Sequence, residues 1–298
     1  MQAIYEAAES TRMIYRVADQ TIVVEARDTW AARAIEKLFA GWYLTLDTRG
    51  GSLDASLAPA IVISDAVKPP KIPRGWSQFE IAGGGTCFTD GTTSYIDIEG
   101  SIVAIDKPGH AAVEVWTNGK IGIQSPALTR VVTYALAAAL RRRRLFELHS
   151  GAVIDPKSGQ GVLIIGPSGS GKSTLTVQLA AAGWSFLTDD VLVLSAEGAE
   201  VKAWPLRRCF AITSETFAAS NFLQTRTSLH YMQAQFADKK NDKKQFIPHA
   251  VFNSKFNEHC IPQTLFFSQL SGSECSHVLP LSSAETMARL VRMNPWSC

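Results

Sequence analysis

The stretch VLIIGPSGSGKSTL, Val162 to Leu175, constrains this chain more than any other part of it. Four apolar residues run unbroken into Gly166, which suits a strand covered on both faces. Gly166 to Ser173 then fit the pattern G-x-x-x-x-G-K-[ST] at every constrained position. A helix is expected from Lys172 to Ala182, stopped by Gly183. Gly166, Gly169 and Gly171 let the backbone turn tightly and approach phosphate oxygens. The loop amides and the helix start form an anion cradle. In such a loop Lys172 reaches the β- and γ-phosphates, and Ser173 offers a hydroxyl to Mg²⁺. The expected nucleotide contacts are Gly166, Ser168, Gly169, Ser170, Gly171, Lys172, Ser173 and Thr174, with ATP and Mg²⁺ as cofactors. The motif leaves the fate of the γ-phosphate open.

A second stretch narrows it. Asp189 and Asp190, in WSFLTDD, follow Lys172 by seventeen and eighteen residues. One helix and one short strand fill that gap, so the acids are expected at the carboxyl edge of a sheet beside the loop. Neighbours on a strand point to opposite faces, which would let the two carboxylates divide the work. One near an acceptor hydroxyl can take its proton, and one beside Mg²⁺ can neutralise charge. A plain Asp-Asp turn is the structural alternative.

The rest of the chain sets the frame. Up to about residue 124 it reads as mostly strand. The runs are TIVVEA, WYLTLD, AIVIS, SQFEIA, SYIDIEG, SIVAID and AAVEVW, with one helical interruption at residues 31–40. Pro126 to Leu148 reads as a connecting helix with Arg141 to Arg144 near its end. The catalytic domain is expected over residues 149–298. It ends in a helix opened by the capping box at Ser282 and Glu285. Strands are expected at TLFFSQL and SHVLPL, with LSGSE between them as a turn; no Asp-Glu strand follows it, which excludes an ABC-type ATPase. The basic stretch DKKNDKKQF reads as a solvated loop.

Composition excludes several classes. The 298 residues are 46% hydrophobic and 19% charged, with a net charge of +2. Such a chain buries a core and gives no reason to expect nucleic-acid binding. The opening residues lack a basic start followed by an apolar run, so no signal peptide is expected, and no apolar run is long enough to span a membrane. The five cysteines form no CxxC pair, so neither zinc nor a disulfide framework is suggested and a cytoplasmic setting is expected.

At this point the residues meet a known pattern. LHSGAVID and GQGVLIIGPSGSGKSTLTVQLAAAGWSFLTDDVLVLS resemble the catalytic domain of HPr kinase/phosphorylase. His149, Gly161, the loop, Gly183 and Asp189-Asp190 stand in the family's order, over roughly residues 149 to 195. The bifunctional members usually carry Glu after the loop serine; here it is Thr174. The segment linked to their phosphorolysis has no clear match. The chain is therefore similar to the broader HPr-kinase-like set. Some of that set phosphorylate a serine on precursor peptides, including those of lasso peptides.

The resemblance implies an α/β P-loop kinase domain of the HPr kinase/PEP carboxykinase type, and the strand runs before it make the expected fold that domain preceded by a mostly β N-terminal domain. It implies Asp189 as the base for a serine hydroxyl, Asp190 and Ser173 on the metal side, and His149 near the phosphates, orienting Asp190. Arg207 and Arg208 are weaker candidates for phosphate contacts, as are Lys243 and Lys244 for phosphate or substrate. The acceptor would be a protein or peptide bearing serine, and the family suggests a homo-oligomer. The N-terminal half is expected to recruit substrate or support assembly. Two rivals stay open: a small-alcohol kinase of the gluconate or adenylylsulfate type, and a non-catalytic nucleotide-binding regulator.

Overall fold

A computed structural model of the chain describes residues 10–27, 29–39, 45–46, 57–65, 69–81, 84–105, 111–118, 125–206, 210–226, 231–232, 243–246, 251–252, 257–270 and 275–294. The chain divides into two units, Met1–Arg143 and Arg144–Cys298. Mixed sheets with helices make it α/β, with a β-rich N-terminal region.

The first unit holds one nine-stranded sheet. Its strands are β1 (Thr11–Val17), β2 (Gln20–Ala26), β3 (Thr45–Leu46), β4 (Ile61–Asp65), β5 (Ser77–Glu80), β6 (Thr86–Thr89), β7 (Ser94–Ile98), β8 (Ser101–Ile105) and β9 (Val113–Thr117). The order is β3-β1-β2-β4-β9-β8-β7-β6-β5. Neighbours pair antiparallel except at β4, which runs parallel to both β2 and β9. Helix α1 (Thr29–Phe39) buries Ala31, Ala34, Ile35 and Leu38, a helical stripe at three- and four-residue spacing.

Helix α2 (Pro126–Arg141) opens on Ser125, whose hydroxyl accepts from the Ala127 amide, with Pro126 in the first helical position. Its Leu128, Val131, Val132, Ala135 and Leu136 are buried, and it packs on β8 and β9. The expected continuation to Leu148 does not occur. Arg144 adopts φ 59°, outside right-handed helix, and strand β10 (Leu145–Ile154) starts next. Leu145 and Leu148 are buried while Phe146 is exposed, so strand pairing overrides local helix propensity here.

In the second unit β10 runs through the middle of a six-stranded sheet. On one side it pairs antiparallel with β11 (Gly161–Ile165), whose outer neighbour β18 (Pro262–Phe267) is parallel to it. On the other side lie β12 (Ser185–Thr188) and then β13 (Val191–Glu197), both antiparallel to β10 and in line with each other. β14 (Glu200–Pro205) closes a hairpin with β13. Helix α3 (Lys172–Ala181) packs on β10 and β12. Gly183, at φ 110°, ends it in a Schellman motif, with Gly183 N donating to Ala180 O and Trp184 N to Leu179 O.

The sheet buries both faces. Val177 and Ala180 of α3 cluster with Phe186, Phe210 and Phe252 on one. Leu148, Ala152, Leu163, Ile165, Leu187 and Leu192 cluster on the other. Leu290 and Met293 of α6 (Ser283–Met293) pack against that second cluster. The capping box read from the sequence opens α6: Ser282 Oγ accepts from Glu285 N, and the Glu285 carboxylate accepts from Ser282 N.

A three-stranded sheet, β15 (Phe210–Thr213), β17 (Lys243–Phe246) and β16 (Tyr231–Met232), completes the unit with α4 (Ser214–Ala218) and α5 (Asn221–Arg226). The basic stretch therefore ends in a strand rather than a loop, carrying Lys243 and Lys244 opposite Thr213 and Ile212. SHVLPL forms no strand. Val278 and Leu279 stand 77% and 78% exposed, and Pro280 brings no N–H to a ladder. Among the described residues no helix is long and apolar enough to cross a membrane.

Candidate functional site

The glycine-rich loop leaves β11 at Ile165 and enters α3 at Lys172. Gly169 and Gly171 have φ of 80° and 85°, backbone that favours glycine. Gly166 is needed for space: a Cβ there would lie 2.7 Å from Ser268 O and 2.8 Å from Ser268 Oγ. Gly171 supplies no side-chain cap to α3, and no acid stands in the first turn. That end of the helix suits an anion.

Lys172 is 7% exposed, and its ammonium folds back on the loop, 2.7 Å from Gly166 O and 3.0 Å from Pro167 O. The charge thus rests against the first two carbonyls of the loop. Thr174 Oγ1 lies 3.1 Å from Thr216 Oγ1, tying the first turn of α3 to α4. Pro167, Ser168 and Gly169 are exposed, while Ser170 is buried and meets Ser268 Oγ at 2.9 Å. Ser268 N also donates to Ile165 O at 2.7 Å. The end of β18 therefore holds both ends of the loop's first half.

The acid pair occupies the gap between β12 and β13, directly after the last residue of β12. The register against β10 runs through that gap unbroken, because Ala152 faces Thr188 and His149, three residues back, faces Val191, three residues on; the irregularity lies between Ala152 and Val153 instead. Leu187 is the extra residue of that bulge, so the acid pair itself continues the register. Ser150 fixes its level: it pairs with Ile165 on one side, and its amide donates to Asp190 O at 2.8 Å on the other. Loop and acids thus flank the same residue of β10. Strands two places apart in a sheet lie about 10 Å from each other.

The two carboxylates differ. Asp189 is 3% exposed, and its Oδ2 accepts from the Ala211 amide at 3.2 Å. Asp190 Oδ1 lies 3.0 Å from His149 Nδ1, and both side chains reach solvent. A Cβ at Gly151 would collide with the Thr176 hydroxyl of α3. That marks the α3 side of β10, and His149, two residues earlier, lies on the same side by alternation. The His149–Asp190 pair therefore stands on the face that carries α3, at the level where the loop begins.

His149 has another partner, which no motif announces. Its backbone N–H donates to Asn294 Oδ1 at 2.8 Å. Asn294 is 3% exposed, just past α6, and its own amide and side-chain nitrogens donate to Leu290 O. Ser268 and Asn294 are the site residues that the sequence reading missed. Arg207 and Arg208 lie outside the described residues, and of Lys243 and Lys244 only the backbone is described.

The residues fit a magnesium–nucleotide group in kind. Ser173 and Asp190 provide oxygen donors, which Mg²⁺ prefers. Among the described residues no three His, Cys, Asp or Glu side chains gather for a metal. Mg²⁺ bound mainly through phosphates and water needs no such cage. Cys260 lies outside this chemistry: burial pushes its thiol up to about 12, and it packs against Gly161.

No protein-family profile matches the chain, and no curated protein matches its sequence. Among solved structures it is similar to the Hpr(Ser) kinase/phosphatase from Coxiella burnetii. That likeness has 17% identity and a TM-score of 0.27, over 41% of this chain and 63% of that one. So distant a likeness leaves the site to stand on its own geometry.

Proposed function

We propose that this chain is an ATP- and Mg²⁺-dependent kinase that transfers the γ-phosphate to a serine hydroxyl of a protein or peptide. The carrying observation is the placement of the His149–Asp190 pair at the level of Gly166, on the face that bears α3. A non-catalytic cradle has no use for a half-exposed acid–imidazole pair beside its loop. The sequence resemblance over residues 149–195 points the same way.

In this reading the loop amides and Lys172 hold the triphosphate, Lys172 exchanging the carbonyls of Gly166 and Pro167 for phosphate oxygens. Ser173 and Asp190 hold the metal. When bound, Mg²⁺ supplies neutralisation of charge on the transferred group. His149 orients Asp190 through Nδ1. Asp189 takes the proton of the acceptor serine, its carboxylate aimed by the Ala211 amide. Positioning and electrostatics then supply most of the rate. The N-terminal half would recruit the acceptor or support assembly.

The test is mass spectrometry of acceptors after incubation with ATP and Mg²⁺. HPr, a short precursor peptide encoded beside this chain, and small alcohols such as gluconate are offered in parallel. One phosphoryl group gained on a serine of HPr or the peptide is the expected result. Gain on a small alcohol alone would make it a small-molecule kinase. ATP binding with no gain anywhere would make it a regulator.

A further inference from the structure

We propose that Asn294 is a positioning residue of the phosphotransfer site, acting through the backbone of His149; this rests on the kinase reading above. β11 pairs with β10 only as far as Ile165, opposite Ser150. Beyond it the chain departs into the glycine-rich loop. The next amide of β10 on that side belongs to His149, and it has lost its ladder partner. A backbone donor left unmade at a buried place is costly, so the slot needs filling. The Asn294 side chain fills it at 2.8 Å, from 145 residues away.

Asn294 is itself held firmly. Its N and Nδ2 both donate to Leu290 O, at 3.0 and 3.2 Å, closing the end of α6. Leu290 and Met293 anchor that helix in the core beneath β10. Asn294 thus replaces β11 as the neighbour of β10 where the phosphate loop has left. It fixes the residue whose imidazole meets Asp190. The same oxygen could not serve from a shorter side chain without moving α6. Ser268 does the parallel work on the loop, so the C-terminal region holds both halves of the site.

The experiment uses the full chain and two substitutions. Asn294→Ala removes the acceptor, whereas Asn294→Asp keeps an oxygen in the same place. Three quantities are read: kcat with a phosphorylated acceptor, the Kd for ATP, and exchange of the His149 amide with solvent. Asn294→Ala is expected to lower kcat about ten- to a hundredfold, the scale of a misplaced catalytic group. ATP affinity should hold, and His149 exchange should accelerate. Asn294→Asp should recover most of the rate and restore protection. Wild-type turnover by Asn294→Ala would overturn the proposal. Equal loss of ATP affinity, rate and melting temperature in both variants would also overturn it, leaving a fold anchor alone. If the wild type transfers phosphate to nothing, yet His149 exchange responds as stated, the kinase reading fails and the clamp on β10 stands.

Discussion

Ser268, the first residue past β18, touches Ser170 in the middle of the glycine-rich loop, hydroxyl to hydroxyl at 2.9 Å. Both are more than nine-tenths buried, and Ser268 also bonds Ile165 O through its amide. Ser268→Ala would leave the Ser170 hydroxyl without this partner. Such a loss costs about 1–3 kcal/mol. ATP affinity should fall with it, because the loop is no longer held in shape. Calorimetric titration of ATP against both proteins checks this, and unchanged affinity would remove Ser268 from the site.

Asp189→Asn should abolish transfer and leave nucleotide affinity nearly intact. The amide oxygen of the new side chain can still accept from Ala211 N, so the local fold is kept while the base is removed. Lys172→Ala should weaken both binding and transfer. Single-turnover assays beside equilibrium binding separate the two patterns. Full turnover by the Asp189→Asn variant would take Asp189 out of the mechanism.

Gly151→Ala should destabilise the second unit by about 1–3 kcal/mol, the usual cost of overpacking. The added methyl runs into the Thr176 hydroxyl, which itself bonds Lys172 O at 2.8 Å. Adding Thr176→Ala to it should recover part of that loss, since it clears the obstruction. Urea unfolding of the two single variants and the pair measures the coupling; strictly additive losses would count against the clash.

Acid should loosen the start of α6. The side chain and backbone of Ser282 hold the Glu285 carboxyl below its ordinary range. Its folded pKa is lower than its unfolded one. The stabilisation is therefore full above the unfolded value and lost as pH falls through the folded value. Amide exchange at Glu285, protected by Ser282 Oγ, should quicken across that window. Glu285→Gln should flatten the pH dependence.

The parts of this molecule that were legible in the sequence are those whose partners lie close along the chain. The run VLII became β11, Gly183 became the stop of α3, and Ser282 with Glu285 became a cap. The acids were located, but not their setting, because a gap between two strands that share one partner depends on that partner, β10. Leu145 to Leu148 followed helix propensity in the sequence and β13 in the structure. Ser268 and Asn294 were invisible because their partners, Ser170 and His149, lie 98 and 145 residues away.

β10 carries two demands that cannot be adjusted separately. Gly151 must face α3 so that the helix can lie close, and His149 must face the same way to meet Asp190. Adding or deleting one residue between His149 and Gly151 would leave the strand pairings to choose. Keeping Gly151 under α3 would carry every earlier side chain to the opposite face; keeping the pairing with β13 would turn Gly151 away. Substitutions can therefore tune this strand, while a change in its length at this point sacrifices either the chemistry or the packing.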